Sequence, residues 1–229
     1  MQRDPLDGTP WSTPRMVEGF ARSSPNAVLI AFAARERHRA GVRRALDIGC
    51  GAGRNALPLA DQGWQVVGTD LSWPMLVAAA ARARASESAG RVHTVLAPMD
   101  HLPIRDGSMD LIVAHGIWNL ARSGAQFRQA VREAARVAAP GAALFVFTFS
   151  RNTFPPETAP IAGEAFVFTE FSGEPQCFLT EPQLDEELAR GGFSRDPSVP
   201  FTEYNRRQPG QIQTGSAPAI FEATYRRLR

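Results

Sequence analysis

The sequence predicts an α/β protein built on one doubly wound, mostly parallel sheet. Between Ala45 and Phe149, short apolar runs ending in Gly or Asp alternate with longer segments of helical pattern. The runs are close to continuously hydrophobic, as strands covered on both faces read, and right-handed helical crossovers between such strands give a doubly wound architecture. The 229 residues, 44% hydrophobic and 21% charged, suit one globular domain with an elaborated edge.

Each element has its own signal. Residues 15–40 read as one or two helices, with Met16, Val17 and Phe20 apolar and Pro25 restarting a helix through Val28, Leu29, Ile30 and Phe32. Proline is tolerated early in a helix because its missing N–H would have no partner there. The expected strands are Ala45–Gly49, Gln65–Asp70, Val92–Ala97, Met109–Ala114 and Ala142–Phe149, and the helices among them are Arg54–Gln62, Pro74–Ala85 and Ala125–Ala138. Residues 151–179 break the rhythm with Pro155, Pro156, Pro160, Gly163 and Gly173 around a strand-like run, Ala165–Phe171. That is long for a plain loop and reads as an insertion or lid. A helix over Glu181–Arg190 stops at Gly191-Gly192, and two extended stretches, Phe193–Tyr204 and Ala219–Leu228, suggest an antiparallel pair at a sheet edge.

Composition excludes several chemistries. All 25 basic residues are arginine. Without lysine there is neither a P-loop nor a Schiff base with pyridoxal phosphate or a carbonyl substrate. Cys50, Cys177, His38, His93, His101 and His115 show no metal-ligand spacing, so no metal is expected. The two cysteines fit a reducing cytoplasm. Net charge is +2 with arginine scattered among acids, which gives no clear nucleic-acid signal. No apolar run approaches the ~18 residues of a membrane span, and Met1–Pro14 lacks the apolar stretch of a secretory signal.

The clearest site is Ala45-Leu46-Asp47-Ile48-Gly49-Cys50-Gly51-Ala52-Gly53-Arg54-Asn55, a strand running into three alternating glycines and then a helix. Glycines let the backbone turn tightly against a ligand, and the helix start offers free N–H groups. Asp70 ends the second strand, where a carboxylate can accept both hydroxyls of a ribose. Together they point to an adenosine-containing ligand. They do not separate a dinucleotide from another adenosine cofactor, since Gly51-x-Gly53-x-x-Ala56 satisfies a relaxed dinucleotide fingerprint.

From about Arg44 to Ser150 the chain resembles the class I S-adenosylmethionine-dependent methyltransferases. The resemblance rests on Asp47, Gly49, Gly51 and Gly53; on Val67-Gly68-Thr69-Asp70-Leu71-Ser72 followed by Met75-Leu76; on Ala97-Pro98-Met99-Asp100-His101-Leu102-Pro103; and on Ser108-Met109-Asp110-Leu111-Ile112-Val113, with Pro140-Gly141 before a fifth strand. It implies a Rossmann-like, seven-stranded sheet, mostly parallel with an antiparallel C-terminal strand. The implied cofactor is S-adenosyl-L-methionine, with S-adenosyl-L-homocysteine as product, and the implied activity is methyl transfer to a small-molecule acceptor. By position, Asp47 and the Gly49–Gly53 backbone would hold the methionine end and Asp70 the ribose, with Leu71 against the adenine. Asp100 would accept from the adenine amino group, the Met99 N–H would meet a ring nitrogen, and His115 would lie near the sulfonium. Arg54-Asn55 after Gly53 is similar to the Gly-Arg-Asn of the tellurite-resistance and thiopurine-methylating group, where Arg54 could pair with a carboxylate.

One domain, 1–229, is expected: a helical lid or cap (1–43), a cofactor-binding core (44–150), an insertion or substrate lid (151–179), and a C-terminal helix with an antiparallel strand pair (180–229). His115 is either a general base or a residue packing on the cofactor. Trp11, Trp118, Phe154, Phe166, Phe168 and Phe171 either wall a substrate pocket or pack as core and lid, and Cys50 reads as a small filler. Asp110 reads as a strand-start residue. Two other functions are weighed beside small-molecule methylation. One is methylation of RNA or protein, for which Arg206-Arg207 and Arg226-Arg227-Leu228-Arg229 offer a weak basic surface; the other is cofactor binding without turnover.

Overall fold

The computed structural model describes residues 4–39, 44–206 and 217–228. The main sheet holds β1 (Arg44–Ile48), β2 (Gln65–Asp70), β3 (Val92–Leu96), β4 (Met109–His115), β5 (Ala138–Phe149), β8 (Phe193–Arg195), β9 (Thr202–Tyr204) and β10 (Ile220–Arg227). Its order is β3-β2-β1-β4-β5-β10-β8, with β9 also pairing with β10. β1 to β5 are mutually parallel, and β10 inserts antiparallel beside β5. This is the Rossmann-like arrangement expected, with eight strands filling seven positions because β8 and β9 share the far side of β10.

The tail therefore departs from the predicted edge pair. β10 is an interior strand, and Phe193–Tyr204 is two short strands separated by a segment containing Pro197 and Pro200, which lack the N–H a ladder needs. β5 begins four residues earlier than expected, directly after its helix. A register shift opposite Met109–Leu111 accommodates Pro140 and Gly141. In the 151–179 segment Val167–Phe168 (β6) and Gln176–Cys177 (β7) pair as a separate two-stranded sheet, and Leu179 makes a single parallel bridge to Ser150.

Six helices cover the sheet: α1 (Pro14–Arg22), α2 (Ala27–His38), α3 (Ala56–Asp61), α4 (Trp73–Arg84), α5 (Gly124–Val137) and α6 (Glu181–Arg190). Alternation along the strands feeds two cores. Leu111, Val113 and Phe145 pack with Leu29 and Phe32 of α2 and Leu59 of α3, while Ile112, Ala114 and Leu144 pack with Phe127, Val131 and Leu188 of α5 and α6. Caps set the helix starts: Asn26 Oδ1 accepts from Leu29 N, Ser72 Oγ from Met75 N, Ser123 Oγ from Gln126 N, and Thr180 forms a capping box with Gln183. α3 is shorter than predicted, leaving Arg54 and Asn55 in the turn before it. Asp110 does serve the start of its strand, accepting from Arg44 N at 3.0 Å.

α2 is fastened at its far end by Arg226 of β10. The guanidinium reaches Glu36 with two nitrogens (2.6 and 2.5 Å) and Asp196 with a third (2.6 Å). Arg227 donates to the Ala135 and Gly192 carbonyls, and Arg206 pairs with Glu203. Arg226 and Arg227 thus spend their donors inside the fold, while Arg206 is exposed; Arg207 and Arg229 of the basic stretches noted in the sequence lie outside the described residues. Removing one partner of a buried ionic group strands the others. Arg226→Ala is therefore expected to cost about 3 kcal/mol in urea denaturation, against about 0.5 kcal/mol or less for Arg22→Ala, whose pair with Glu18 is exposed.

Candidate active site

The crevice at the carboxyl ends of β1, β2 and β4 begins with the glycine turn. Gly49, Gly51 and Gly53 have φ of +70°, +51° and +80°. Gly49 is doubly constrained: a Cβ there would stand 2.7 Å from Ile117 Cδ1, so only glycine supplies both the left-handed backbone and the room. The turn is stitched to β2. Cys50 N donates to Thr69 O at 2.9 Å, and Gly51 N donates to Asp70 Oδ2 at 2.8 Å. Ser72 N donates to Asp70 Oδ1 at 2.8 Å, so each Asp70 oxygen accepts a main-chain bond. Burial raises the Asp70 carboxyl above its ordinary range, while the Ser72 and Gly51 N–H groups oppose the shift.

Asp47 is fully enclosed, and its Oδ2 has no hydrogen-bond partner. Burial pushes its carboxyl up to about 7; the Arg54 guanidinium pulls it down and Asp70 adds a smaller push. Cys50 is buried and its thiol is raised well above the ordinary range, chiefly by burial, in keeping with a filler.

A polar chain crosses the crevice toward β10. Arg54 Nη2 lies 3.0 Å from His115 Nδ1, and Asn26 Nδ2 lies 3.2 Å from His115 Nε2. Asn26 Nδ2 also donates to Glu222 Oε2 at 2.7 Å, and the Tyr204 hydroxyl donates to Glu222 Oε1 at 2.8 Å. Asn55 Oδ1 accepts from Asn26 N at 3.1 Å, so the pair after Gly53 holds both the ring and the start of α2. Sheet register explains the alignment: His115 pairs with Phe147, and Phe147 with Glu222, in one row. The His115 ring stacks on Phe147 at 4.1 Å. Burial, helped by the Arg54 charge, pulls the imidazole down to about 3, so it is neutral near pH 7. A guanidinium can only donate, which commits the Nδ1 lone pair to Arg54.

The structure thus gathers Asp47, Gly49, Gly51, Gly53, Arg54, Asp70 and His115. Leu71 follows Asp70, half-buried. Met99 is packed in the core through its side chain, and Asp100 accepts from Gln126 Nε2 at 3.0 Å and contacts His101 at 3.3 Å. Of the two readings of the aromatic residues, packing as core describes Trp118, Phe166 and Phe168. Trp118, Phe166 and Phe168 are fully buried, Trp118 and Phe166 against Phe127, and Phe168 in a ring cluster with Phe154, Phe171, Phe178 and Phe149. Trp11 packs edge-on against Phe20, which itself lies over Gly51. Sequence reasoning missed Asn26, Ile117, Tyr204 and Glu222; the signal for the last was an acid inside the apolar run Phe221-Glu222-Ala223.

The methyltransferase-domain family matches residues 46–146. A demethylmenaquinone methyltransferase of Lactiplantibacillus plantarum is 33% identical over 187 residues, which are 73% of this chain and 76% of that one. The chain belongs to the S-adenosylmethionine-dependent methyltransferases. A ubiquinone/menaquinone biosynthesis C-methyltransferase of Geotalea daltonii is 32% identical over 127 residues, 54% of this chain, and the match spans about half (52%) of that relative's length. A methyltransferase of Methanosarcina mazei shares the fold, with a TM-score of 0.68 at 22% identity over 90% of this chain and 99% of its own. The family's cofactor, S-adenosylmethionine, carries an ammonium, a carboxylate and a ribose diol. The residues present fit it: Asp47 has a buried oxygen without a donor, and the Asp70 carboxylate offers acceptor oxygens at the neighbouring strand tip.

The raised Asp47 carboxyl has a consequence for stability. Its folded value exceeds the unfolded one, so the fold holds the proton more tightly; stability is full below about pH 4 and declines as pH rises toward 7. Asp47→Asn is expected to match the parent at pH 4 and exceed it by on the order of 2 kcal/mol above pH 7 in denaturation experiments without cofactor.

Proposed function

We propose that the protein transfers a methyl group from S-adenosylmethionine to a small-molecule acceptor by in-line displacement. The observation that carries this reading is the meeting of the unpartnered Asp47 oxygen, the left-handed glycine turn and the Asp70 carboxylate at the neighbouring tips of β1 and β2. When bound, the cofactor supplies a methyl group made electrophilic by its sulfonium. Asp47 accepts from its ammonium, and the Gly49, Gly51 and Gly53 backbone lies along its methionine end. Asp70 accepts from the ribose hydroxyls, while Leu71, the Met99 N–H and Asp100 frame the adenine. Arg54 is the cation nearest Asp47 in the crevice and takes the cofactor carboxylate.

His115 then has two duties. With Arg54 on Nδ1 it is a neutral acceptor that holds the guanidinium and packs on Phe147. When Arg54 turns to a carboxylate, the Nδ1 lone pair is released and can take a proton from the acceptor. Aligning nucleophile, methyl and sulfur supplies much of the rate.

Residues 4–39 act as a cap. Ser72 Oγ donates to Trp11 O, Asp4 Oδ1 accepts from Trp73 N, and Phe20 covers Gly51. The 151–179 segment, with its own aromatic cluster, is a second cover, and the buried free thiols of Cys50 and Cys177 suit the cytoplasm. Calorimetry with S-adenosylhomocysteine tests the reading. The parent is expected to bind, and Asp70→Ala to bind about 100-fold more weakly while keeping its fold by circular dichroism; an inert parent would refute it.

A further inference from the structure

Among the described residues, five acids are buried: Glu36, Asp47, Glu187, Asp196 and Glu222. Enclosed carboxylates are normally matched by a cation, because desolvating a lone charge is expensive. Three are matched, Glu36 and Asp196 by Arg226 and Glu187 by Arg128. In a chain with 25 arginines, Asp47 and Glu222 have no arginine ion pair. Both stand at the crevice end of the sheet, and Asp47 suits the ammonium of the cofactor.

We propose that Glu222 is the counterpart of Asp47 for the other reactant, an acceptor-binding residue that grips a protonated amine on the methyl acceptor. The proposal rests on the methyltransferase reading above. Glu222 is 2% exposed and receives only neutral donors, the Asn26 amide at 2.7 Å and the Tyr204 hydroxyl at 2.8 Å. An ammonium brings a full positive charge to the hydrogen bond it donates, which the amide and the phenol lack, so it competes with that cover for a desolvated carboxylate. The cover can be removed from outside, since Tyr204 is itself 38% exposed, on a three-residue strand. Beside the carboxylate in the same sheet row lie Phe147 and the neutral His115, a stacked pair that offers an aromatic surface. Arg54 stands on the opposite side of His115, so the field across the crevice runs from cation to anion and orients an amine toward Glu222.

A matched series tests this: 2-phenylethylamine, 2-phenylethanol and phenylacetate, titrated into the full chain saturated with S-adenosylhomocysteine and followed by calorimetry and thermal shift. The amine is expected to bind about tenfold or more tightly than the alcohol, with the carboxylate weakest. Glu222→Gln should bring the amine down to the alcohol's affinity and leave S-adenosylhomocysteine binding within about twofold of the parent. Tyr204→Phe, which strips one covering donor, should bind the amine at least as well as the parent, and it decides the matter if Glu222→Gln does not fold. Equal affinity for amine and alcohol, no binding of any of the three, or amine binding untouched by Glu222→Gln overturns the proposal. Failure of S-adenosylhomocysteine to bind the parent overturns instead the reading on which it rests.

Discussion

The crevice depends on main-chain stitches between the tips of β1 and β2. Once Cys50 N has found Thr69 O and Gly51 N has found Asp70, the chain leaving β1 can only turn through left-handed backbone before α3 begins. That turn sets Arg54 and Asn55 at its exit, and these two fix the His115 ring and the start of α2. The backbone of the glycine turn thus sets where the binding side chains start, and their own hydrogen bonds fix where they end.

Charge follows a second logic. The fold neutralises its structural acids with arginine and keeps Asp47 and Glu222 out of that pairing. Holding two carboxylates without counter-ions is unfavourable for the protein alone. In the functional reading, the cations that answer these two carboxylates belong to the ligands, which favours ligands that carry them.

The parallel strands were legible because buried parallel strands are apolar throughout: all five emerged close to their expected places, Gln65–Asp70 with the predicted bounds, as did the helix Glu181–Arg190. The glycine turn and its acids were legible because few residue types satisfy that backbone. The tail was not, since Phe193–Tyr204 reads as one extended run and only tertiary contact with β10 splits it. The aromatic residues stayed ambiguous for a related reason: apolar character cannot distinguish a pocket wall from a core. Asn26 and Glu222 are 196 positions apart, and no local pattern announces that sheet register brings them together.

α2 is tied at one end through Asn26 to the crevice and at the other through Glu36 to Arg226. Its twelve residues make a rod of about 18 Å. A rod fixed at both ends works as a lever: a tilt of about 5° around the outer fastening carries the inner tip through roughly 1.5 Å, half a hydrogen bond's length. The outer ion pair therefore acts as the pivot that limits how far Asn26 can swing at the inner tip, one helix length away.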